Sequence, residues 1–234
     1  MNKIRLGIVG CGGIFNIAHV PAYQKLMDKV EIIAACDIIP ERAEKVSETF
    51  GCNVKAYTDY VEMLQNEKLD AVDICTPNYL HSKIAVEAFK NGINVFSEKP
   101  DAVSVSEAEK MKEASEKSGK LLMVMRNNRF LESSQYLKKY IEEGKAGEIY
   151  CGRCGWIRRR GIPGKGGWFT TKEQSGGGPL IDLGVHMIDL AIWLMGNPKP
   201  VAVSGSTYCK FANDEGQSDS VHSQFGNAVE GGTF

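Results

Sequence analysis

Short β-branched runs alternate with longer amphipathic runs over the first 125 residues, and this alternation constrains the fold more than any other feature. Extended-type patterns predict strands at 3–9, 30–37, 53–56, 70–75, 93–96 and 120–125. Helical periodicity predicts the intervening helices at 13–28, 40–50, 58–65, 79–91 and 104–118. Strands that alternate with helices pair in parallel, so the chain is predicted to begin with an α/β, doubly wound parallel sheet.

Polar residues and glycines stand at the predicted helix ends. A polar side chain at the N-cap accepts from the free N–H groups of the first turn, and a glycine closes the last turn in a left-handed conformation. The predicted N-caps are Thr58, Asn78 and Ser104, and the predicted helix-ending residues are Gly51, Gly92 and Gly119.

The pattern changes after about residue 130. A helix is predicted at 131–144, a strand-like stretch at 147–160, a glycine-rich loop through Gly178, a helix at 179–195 and a strand at 201–211. We therefore expect two domains, a first at 1–126 and an incomplete α+β mixed-sheet domain at 127–234.

Charge and cysteine content exclude several classes of partner. The 28 basic and 29 acidic residues nearly cancel, so neither a nucleic acid nor a membrane is expected, and a small molecule is favoured. Seven cysteines form an odd, dispersed set, which is typical of reduced thiols and predicts a cytoplasmic protein. The apolar run at the N-terminus is too short for a signal sequence or a membrane span.

A glycine-rich turn follows the first predicted strand. Bare backbone in such a turn can approach a pyrophosphate at a helix N-terminus, and the contacts expected here are Gly10, Gly12, Gly13 and Ile14. Asp37 ends the second predicted strand, where an acid accepts the ribose hydroxyls and repels a 2′-phosphate, whereas Arg42 is expected within the next helix. The pairing predicts a Rossmann domain that binds NAD, with NADP less favoured.

Two alternatives to cofactor binding remain open for this turn. Phe15 occupies the third fingerprint position, which is usually glycine or alanine, and this is compatible with a tight turn that holds no ligand. Asp37 is alternatively a helix-capping acid.

Further motifs follow in a fixed order along the chain. Glu98-Lys99-Pro100 comes directly after the strand at 93–96, TPNYLH spans 76–81, NNRF spans 127–130 and SGGGPLIDLGVHMIDL spans 175–190. Together with GCGGI at 10–14, these motifs resemble the Gfo/Idh/MocA oxidoreductases, and the resemblance covers essentially the whole chain.

The resemblance implies a Rossmann domain followed by an open mixed sheet, with NAD or NADP as cofactor and a sugar or cyclitol hydroxyl as the reacting group. It also implies a homo-oligomer in the complete protein. Members of the family normally continue with further strands, so this chain is expected to be C-terminally truncated. The additional residues expected to contact cofactor are Thr76, Pro77, Asn78, His81 and Glu98.

Three residues are the candidates for acid–base chemistry. Asp182 and His186 are four residues apart in a helical stretch, so their side chains share one face. Alcohol oxidation needs a group that accepts the hydroxyl proton, which suits His186, and a donor to the alkoxide-like oxygen, which suits Lys99. Asp182 would orient them. The resemblance supports all three roles, since Lys99 matches the lysine of the family's EKP motif and Asp182 and His186 match the family's D-x-x-x-H pair.

Plainer interpretations stand beside these assignments. Lys99 is alternatively a solvated loop residue, and the Asp182–His186 pair a surface interaction. His81 is equally compatible with a place on a helix surface. Adding Asp189 to Asp182 and His186 gives a histidine and two acids, but no second histidine is within reach, so no metal site is predicted.

Three other features carry weaker expectations. Cys151 and Cys154 form a C-x-x-C in a strand-like stretch and are expected to be packed thiols. Arg158 and Arg160 share one face of that predicted strand and suit either an anionic ligand or a solvated edge. Trp168 and Phe169 are expected to pack in the interior rather than against a sugar.

The leading hypothesis is an NAD-dependent dehydrogenase of a sugar or cyclitol. A second hypothesis is a cofactor-binding regulator or an inactive fragment of such an enzyme. A third, an NADP-dependent aldose-type reductase, is disfavoured by Asp37.

Overall fold

The computed structural model describes residues 3–157, 167–208 and 210. The chain divides into two compact units, Met1–Met125 and Arg126–Phe234, which we call the N-terminal unit and the C-terminal unit. The sequence-based boundary stood at 126/127.

Six parallel strands form the sheet of the N-terminal unit. They are β1 (Ile4–Val9), β2 (Val30–Cys36), β3 (Lys55–Tyr57), β4 (Ala71–Ile74), β5 (Asn94–Ser97) and β6 (Leu122–Val124). Their order is β3-β2-β1-β4-β5-β6, and every neighbouring pair is parallel. The order reverses direction between β1 and β4, which is the point where open α/β sheets bind ligands. The predicted doubly wound parallel sheet is confirmed.

Five helices of this unit connect the strands. They are α1 (Val20–Gln24), α2 (Pro40–Phe50), α3 (Tyr60–Asn66), α4 (His81–Lys90) and α5 (Val105–Ser118). A π-helical turn, Phe15–His19, precedes α1, and a 3₁₀ turn, Asn78–Leu80, precedes α4. The predicted helix 13–28 is shorter than expected, because from Lys25 the backbone N–H groups bond three residues back and the chain turns toward β2.

Two hydrophobic clusters fill the two faces of the sheet. One contains Met63 of α3, Phe89 of α4 and Met111 of α5, packed with side chains of β4 and β5. The other contains Phe15 and, from α2, Val46, packed with side chains of β1 and β2. Helices therefore cover both faces, so the strands are buried on both sides, as parallel sheets require.

The helix caps agree with the sequence at some positions and not at others. Ser104 accepts from the N–H of Glu107 as predicted, and Gly51 and Gly119 are left-handed C-caps. Gly92 has a φ of 70° and follows the C-cap of α4 directly. The Thr58 prediction is wrong: the N-cap of α3 is Asp59, whose carboxylate accepts from Val61. The Asn78 prediction is also wrong, because Asn78 opens the 3₁₀ turn after Pro77 instead of capping α4.

Helices dominate the described part of the C-terminal unit. The chain forms a 3₁₀ turn (Asn127–Phe130), α6 (Glu132–Glu142), a 3₁₀ turn (Trp168–Thr170), α7 (Lys172–Ser175), a π-helical turn (Leu180–Gly184) and α8 (Val185–Leu194). The predictions of helices at 131–144 and 179–195 are confirmed. By length and composition the helical run Lys172–Leu194 could cross a membrane, and one such run among the described residues is weak evidence for a span.

Neither predicted strand of this unit forms over the described residues. Residues 147–157 and 201–208 have no strand pairing, so the predictions of strands at 147–160 and 201–211 are wrong there. Residues 158–160, 209 and 211 lie outside the described part of the chain. A strand is completed by hydrogen bonds to a neighbour, and no partner strand occurs among the described residues of this unit.

Candidate dinucleotide site and catalytic residues

The turn after β1 lies against the backbone that follows β4. Gly10 has a φ of 92°, and a Cβ built on it would lie 2.7 Å from the carbonyl carbon of Cys75 and 2.8 Å from the nitrogen of Thr76. Both the conformation and the close approach exclude a side chain. Gly10 therefore lets the turn pack against the end of β4 at the position where the strand order reverses.

The next two glycines leave open space in front of the helix. A Cβ added at Gly13 would meet no atom within 4 Å, and one added at Gly12 would meet only Nη1 of Arg42, at 3.9 Å. A cavity of about 260 Å³ lies between this turn and α2, where Arg42 and Lys45 line it. Bare N–H groups at a helix start, with cations nearby, fit the pyrophosphate of a dinucleotide.

Asp37 joins the glycine turn to the end of β2. Its carboxylate is 8% exposed and accepts the N–H of Cys11 at 2.8 Å through Oδ2 and the N–H of Ile39 at 2.9 Å through Oδ1. Arg42, which lies in α2 as expected, approaches Oδ1 at 4.0 Å. The N-cap of α2 is Ile39, so the alternative that Asp37 caps this helix is wrong. Each carboxylate oxygen accepts more than one hydrogen bond, which leaves capacity for a ribose hydroxyl.

The phenylalanine that departs from the glycine fingerprint is a core residue. Phe15 is 1% exposed and its ring lies 6.4 Å from that of Phe50 of α2. The side chain therefore fills the space between helix and sheet below the turn and does not enter the open space before Gly13.

The TPNYLH motif contacts the EKP motif through a buried histidine. Nδ1 of His81 lies 2.8 Å from the carbonyl oxygen of Pro100, and Nε2 lies 2.9 Å from the carbonyl oxygen of Thr76. Burial lowers the pKa of His81 against the opposing effect of these two carbonyls. The side chain is fully buried, so the helix-surface alternative is wrong. Both ring nitrogens face the protein backbone, which makes His81 a connection between two loops.

Glu98 is held by a second buried histidine. Oε1 of Glu98 lies 2.9 Å from Nε2 of His19, and Oε2 accepts the backbone N–H of Lys99 at 3.1 Å. Burial opposes ionisation of Glu98, but the hydrogen bond and charge of His19, together with Lys99, keep the pKa of Glu98 below its usual value. Lys99 is half-buried, at the carboxyl end of the sheet where sequence analysis expected it.

His19 also bonds to an acid in the middle of the sheet. Its Nδ1 lies 2.7 Å from Oδ2 of Asp73, which accepts the hydroxyl of Tyr23 at 2.8 Å as well. Burial favours the neutral imidazole, but the two carboxylates raise the pKa of His19 to about 9. His19, Asp73 and Cys75 bring three metal-ligand atoms within 4.8 Å of one another. Sequence analysis missed this cluster, although an acid inside the buried strand at 70–75 was a signal that a partner must exist.

In the C-terminal unit, the two predicted catalytic residues lie on consecutive helical segments. Asp182 belongs to the π-helical turn Leu180–Gly184 and His186 to the first turn of α8, and both are half-buried. The ring of His186 lies 6.5 Å from that of Trp156. Single π-helical turns occur often at functional sites, because they shift the side chains that follow relative to those that precede.

Asp189 is paired with arginines of the NNRF segment. Arg129 donates to both carboxylate oxygens of Asp189, at 2.7 and 2.5 Å, and Arg126 lies 3.4 Å away. Hydrogen bonding to Asp189 raises the pKa of Arg129. The pairing of Asp189 with two arginines argues against the metal alternative that joins it to Asp182 and His186.

The weaker expectations have mixed outcomes. Cys151 and Cys154 are exposed free thiols, so the prediction that they are packed is wrong, and the cause is the missing strand. Trp168 and Phe169 pack edge to face with centroids 5.4 Å apart and are half-buried. Arg158 and Arg160 lie outside the described residues.

Comparison with known proteins decides the family. The model described as "Oxidoreductase family, NAD-binding Rossmann fold" of GFO_IDH_MocA matches residues 4–126. The GFO/IDH/MocA C-terminal domain matches residues 134–229. The chain belongs to the Gfo/Idh/MocA oxidoreductase family.

Named relatives of this Gfo/Idh/MocA chain include several carbohydrate enzymes. The D-glucoside 3-dehydrogenase of Escherichia coli K12 is 34% identical over 92% of this chain and 60% of that protein. The 2,7-anhydro-N-acetylneuraminate hydratase of Mediterraneibacter gnavus is 30% identical over 94% of this chain and 57% of that protein. The crystal structure of the WlbA dehydrogenase from Bordetella pertussis, in complex with NADH and UDP-GlcNAcA, matches with a TM-score of 0.71 and 30% identity over 83% of this chain and 60% of that chain. The chain thus spans at most 60% of the length of these three proteins.

Within each unit of the Gfo/Idh/MocA chain, some of the predicted site residues lie close together. In the N-terminal unit, Gly10 contacts the backbone at Thr76, and Asp37 bonds to the turn itself. His81 bonds to the carbonyl oxygen of Pro100, beside Lys99, and Glu98 accepts the backbone N–H of Lys99 itself. In the C-terminal unit, Asp182 and His186 lie on adjoining turns.

Proposed function

We propose that this chain carries the NAD-binding and acid–base residues of an oxidoreductase that transfers hydride between a nicotinamide and a hydroxyl-bearing carbon of a sugar or cyclitol. The observation that carries the proposal is the glycine turn, where a Cβ at Gly13 would stand in open space and a Cβ at Gly10 would collide with backbone. Such a turn suits a phosphate ligand that needs both close backbone and room.

Cofactor choice rests on Asp37. The carboxylate is fixed by two backbone N–H groups at the end of β2, and its negative charge opposes a 2′-phosphate at that position. Arg42 offsets part of this charge from 4.0 Å, so the discrimination is smaller than an isolated acid would give. Gly12, Gly13, Ile14, Thr76, Pro77 and Asn78 complete the proposed contacts. Glu98 and His81 act on protein groups, and we assign them to positioning.

The acid–base steps are assigned to three residues. Bound NAD supplies the hydride acceptor for oxidation of the carbinol carbon. His186 accepts the hydroxyl proton, and Lys99 donates a hydrogen bond to the oxygen as negative charge develops on it. Asp182, which precedes His186 by four residues, orients the imidazole or the hydroxyl.

The names of the relatives support a carbohydrate substrate. A dehydrogenase of D-glucosides and a structure that holds NADH with a UDP-sugar acid both concern hydroxyl-bearing rings, and a hydratase of an anhydro sugar acid shows that the net reaction differs among relatives. We propose a cytoplasmic location, which fits the free cysteines of the described residues, and a homo-oligomer in the complete protein.

Calorimetric titration with NAD and with NADP tests the binding step on this chain. Gly13→Ala places a methyl group in the open space and should weaken NAD binding by about tenfold or more, which is about 1.4 kcal/mol, without loss of stability. Gly155→Ala is the matched control. A Cβ at Gly155 also meets no atom within 4 Å, and Gly155 lies far from the glycine turn in the sequence. Equal NAD affinity in both variants would remove the turn from the site.

The alternative is a cofactor-binding regulator or a catalytically inactive fragment of such an enzyme. A panel of sugars and cyclitols, with NADH formation followed by absorbance, separates the two functions. NAD binding with no turnover of any panel member would favour the regulator or fragment. Turnover that is abolished by Lys99→Ala and by His186→Ala would establish the oxidoreductase.

A further inference from the structure

Two buried histidines hold the residues on either side of Lys99. His19 bonds to the side chain of Glu98, and His81 bonds to the carbonyl oxygen of Pro100. The backbone N–H of Lys99 donates to the other carboxylate oxygen of Glu98. The position of the Lys99 backbone is therefore set by buried side chains of the N-terminal unit that bond to Glu98 and Pro100.

We propose that His19, as an imidazolium bridging Asp73 and Glu98, is the positioning residue that fixes Lys99 for the reaction. This inference rests on the proposed role of Lys99 in the oxidoreductase. His19 ends the π-helical turn that follows the glycine turn, so the segment that receives the pyrophosphate also holds the lysine loop.

The hydrogen-bond geometry fits the charged form of His19. Each ring nitrogen faces a carboxylate, at 2.7 and 2.9 Å, and only the imidazolium carries an N–H on both nitrogens. The groups around the ring come from three elements: Tyr23 on α1, Asp73 and Cys75 at β4, and Glu98 after β5. A neutral ring would leave one buried carboxylate facing a lone pair unless that acid took up the proton, and the lowered pKa of Glu98 opposes its protonation.

The distances favour a proton over a metal ion in this cluster. Two ligand atoms on one zinc ion at about 2.0–2.1 Å are about 3.3 Å apart in tetrahedral geometry. Nδ1 of His19 and Oδ2 of Asp73 are 2.7 Å apart, which is the separation of a charge-assisted hydrogen bond. Loss of the imidazolium would leave Asp73 and Glu98 as two buried acids without their shared cation. Glu98 would then be unfavourable in its buried position, and its hydrogen bond to the backbone N–H of Lys99 would be lost as its side chain moved toward solvent.

The environment of the Lys99 side chain can be compared between the unmodified chain and its variants without any substrate. Trace acetylation of the full chain with acetic anhydride, followed by peptide mass spectrometry, gives the labelling rate of Lys99 relative to Lys112, which is exposed on α5. His19→Gln and Glu98→Gln should each change this ratio by about threefold or more, since either one breaks the bridge. Glu98→Gln preserves the size of the side chain and keeps the test valid if His19→Gln folds poorly.

Tyr57→Phe is the matched control. Tyr57 donates to Glu67 at 2.6 Å on edge strand β3, which β2, β1 and β4 separate from β5. This variant loses one hydrogen bond to a carboxylate, like the others, and should keep the ratio of the unmodified chain. An unchanged Lys99 ratio in both His19→Gln and Glu98→Gln would overturn the inference.

Two further measurements separate positioning from general damage. In ¹⁵N-histidine spectra of the apo chain, which has four histidines, the signal lost in His19→Gln should show two protonated nitrogens at pH 7.5. Where the chain turns over a sugar, His19→Gln should lower kcat by about 100-fold and change the NAD dissociation constant by less than about threefold. If the unmodified chain fails to bind NAD, the proposed function falls, whereas the labelling ratio and the spectra still decide the role of His19.

Discussion

The bridge formed by His19 makes the stability of the N-terminal unit fall as pH rises. The folded pKa of about 9 lies above the ordinary value of 6.5, so folding favours the protonated ring. The contribution is complete below pH 6.5 and is lost as pH rises through 9. The difference between a pKa of 6.5 and one of about 9, at about 1.4 kcal/mol for each tenfold change in proton affinity, gives a contribution of about 3 kcal/mol to the unfolding free energy. His19 is 3% exposed, so solvent screening removes little of this amount.

Other titrating groups act near the two ends of this pH window. Burial lowers the pKa of His81, so its effect appears below pH 6.5 and has the opposite sign. Burial raises the pKa of Cys36 to about 12 and raises the pKa values of Cys11 and Cys75 as well, so these thiols ionise only in the unfolded chain and lower the stability as pH approaches 9. Between pH 6.5 and about 8, His19 therefore dominates the pH dependence of the unfolding free energy.

The assay must report on the correct unit. Trp156, Trp168 and Trp193 all belong to the C-terminal unit, so tryptophan fluorescence would follow the wrong one. Hydrogen exchange of the peptides that contain β4 and β5, measured in increasing urea at pH 6.5 and 9, gives the local unfolding free energy. The difference should be about 3 kcal/mol larger in the unmodified chain than in His19→Gln, which keeps the contribution of the buried thiols. The same pH dependence in both proteins would refute a charged bridge.

Three further changes have expected outcomes of their own. Gly10→Ala should destabilise the N-terminal unit by about 2–4 kcal/mol in urea, because φ is 92° and the new Cβ would lie 2.7 Å from backbone of Cys75; a loss under about 0.5 kcal/mol would contradict the close approach. Asp189→Asn should lower the unfolding free energy of the C-terminal unit by about 1–3 kcal/mol, because Arg129 loses a bidentate partner; urea unfolding followed by tryptophan fluorescence measures this change. An unchanged urea midpoint would show that the pair is only a surface contact. Asp59→Ala should cost the N-terminal unit about 1 kcal/mol through loss of the α3 cap, measured by hydrogen exchange of that helix.

Most of the N-terminal fold was predictable because its signals are local. Alternating strand and helix patterns require only a few residues each, and the glycine turn and Asp37 stand at fixed places in that alternation. Helix ends were harder, since Thr58 and Asp59 are adjacent and both suit an N-cap. The choice between them depends on backbone angles: Asp59 has an extended conformation with its carboxylate 2.8 Å from the N–H of Val61.

The contacts that support the candidate site were not predictable from local patterns. His19 meets Asp73 across 54 positions of sequence and Glu98 across 79. Arg129 meets Asp189 across 60. Polar side chains of this kind find partners only after the elements have packed, so a single sequence indicates that a buried acid needs a partner without saying which one.

The C-terminal unit shows why helices were predicted better than strands. The backbone of α8 satisfies its hydrogen bonds within its own segment, and the apolar periodicity of 179–195 was therefore enough to locate it. The stretches 147–157 and 201–208 have strand-like composition, but a strand exists only when a second segment accepts and donates along its length. The dependence of a strand on a partner also accounts for the exposed thiols of Cys151 and Cys154. Side chains of a strand are buried only when the strand belongs to a sheet with one face packed on a core. Sequence pattern thus predicts a helix, whose backbone hydrogen bonds form within its own segment. For a strand, whose hydrogen bonds need a second segment, sequence pattern predicts only an extended tendency.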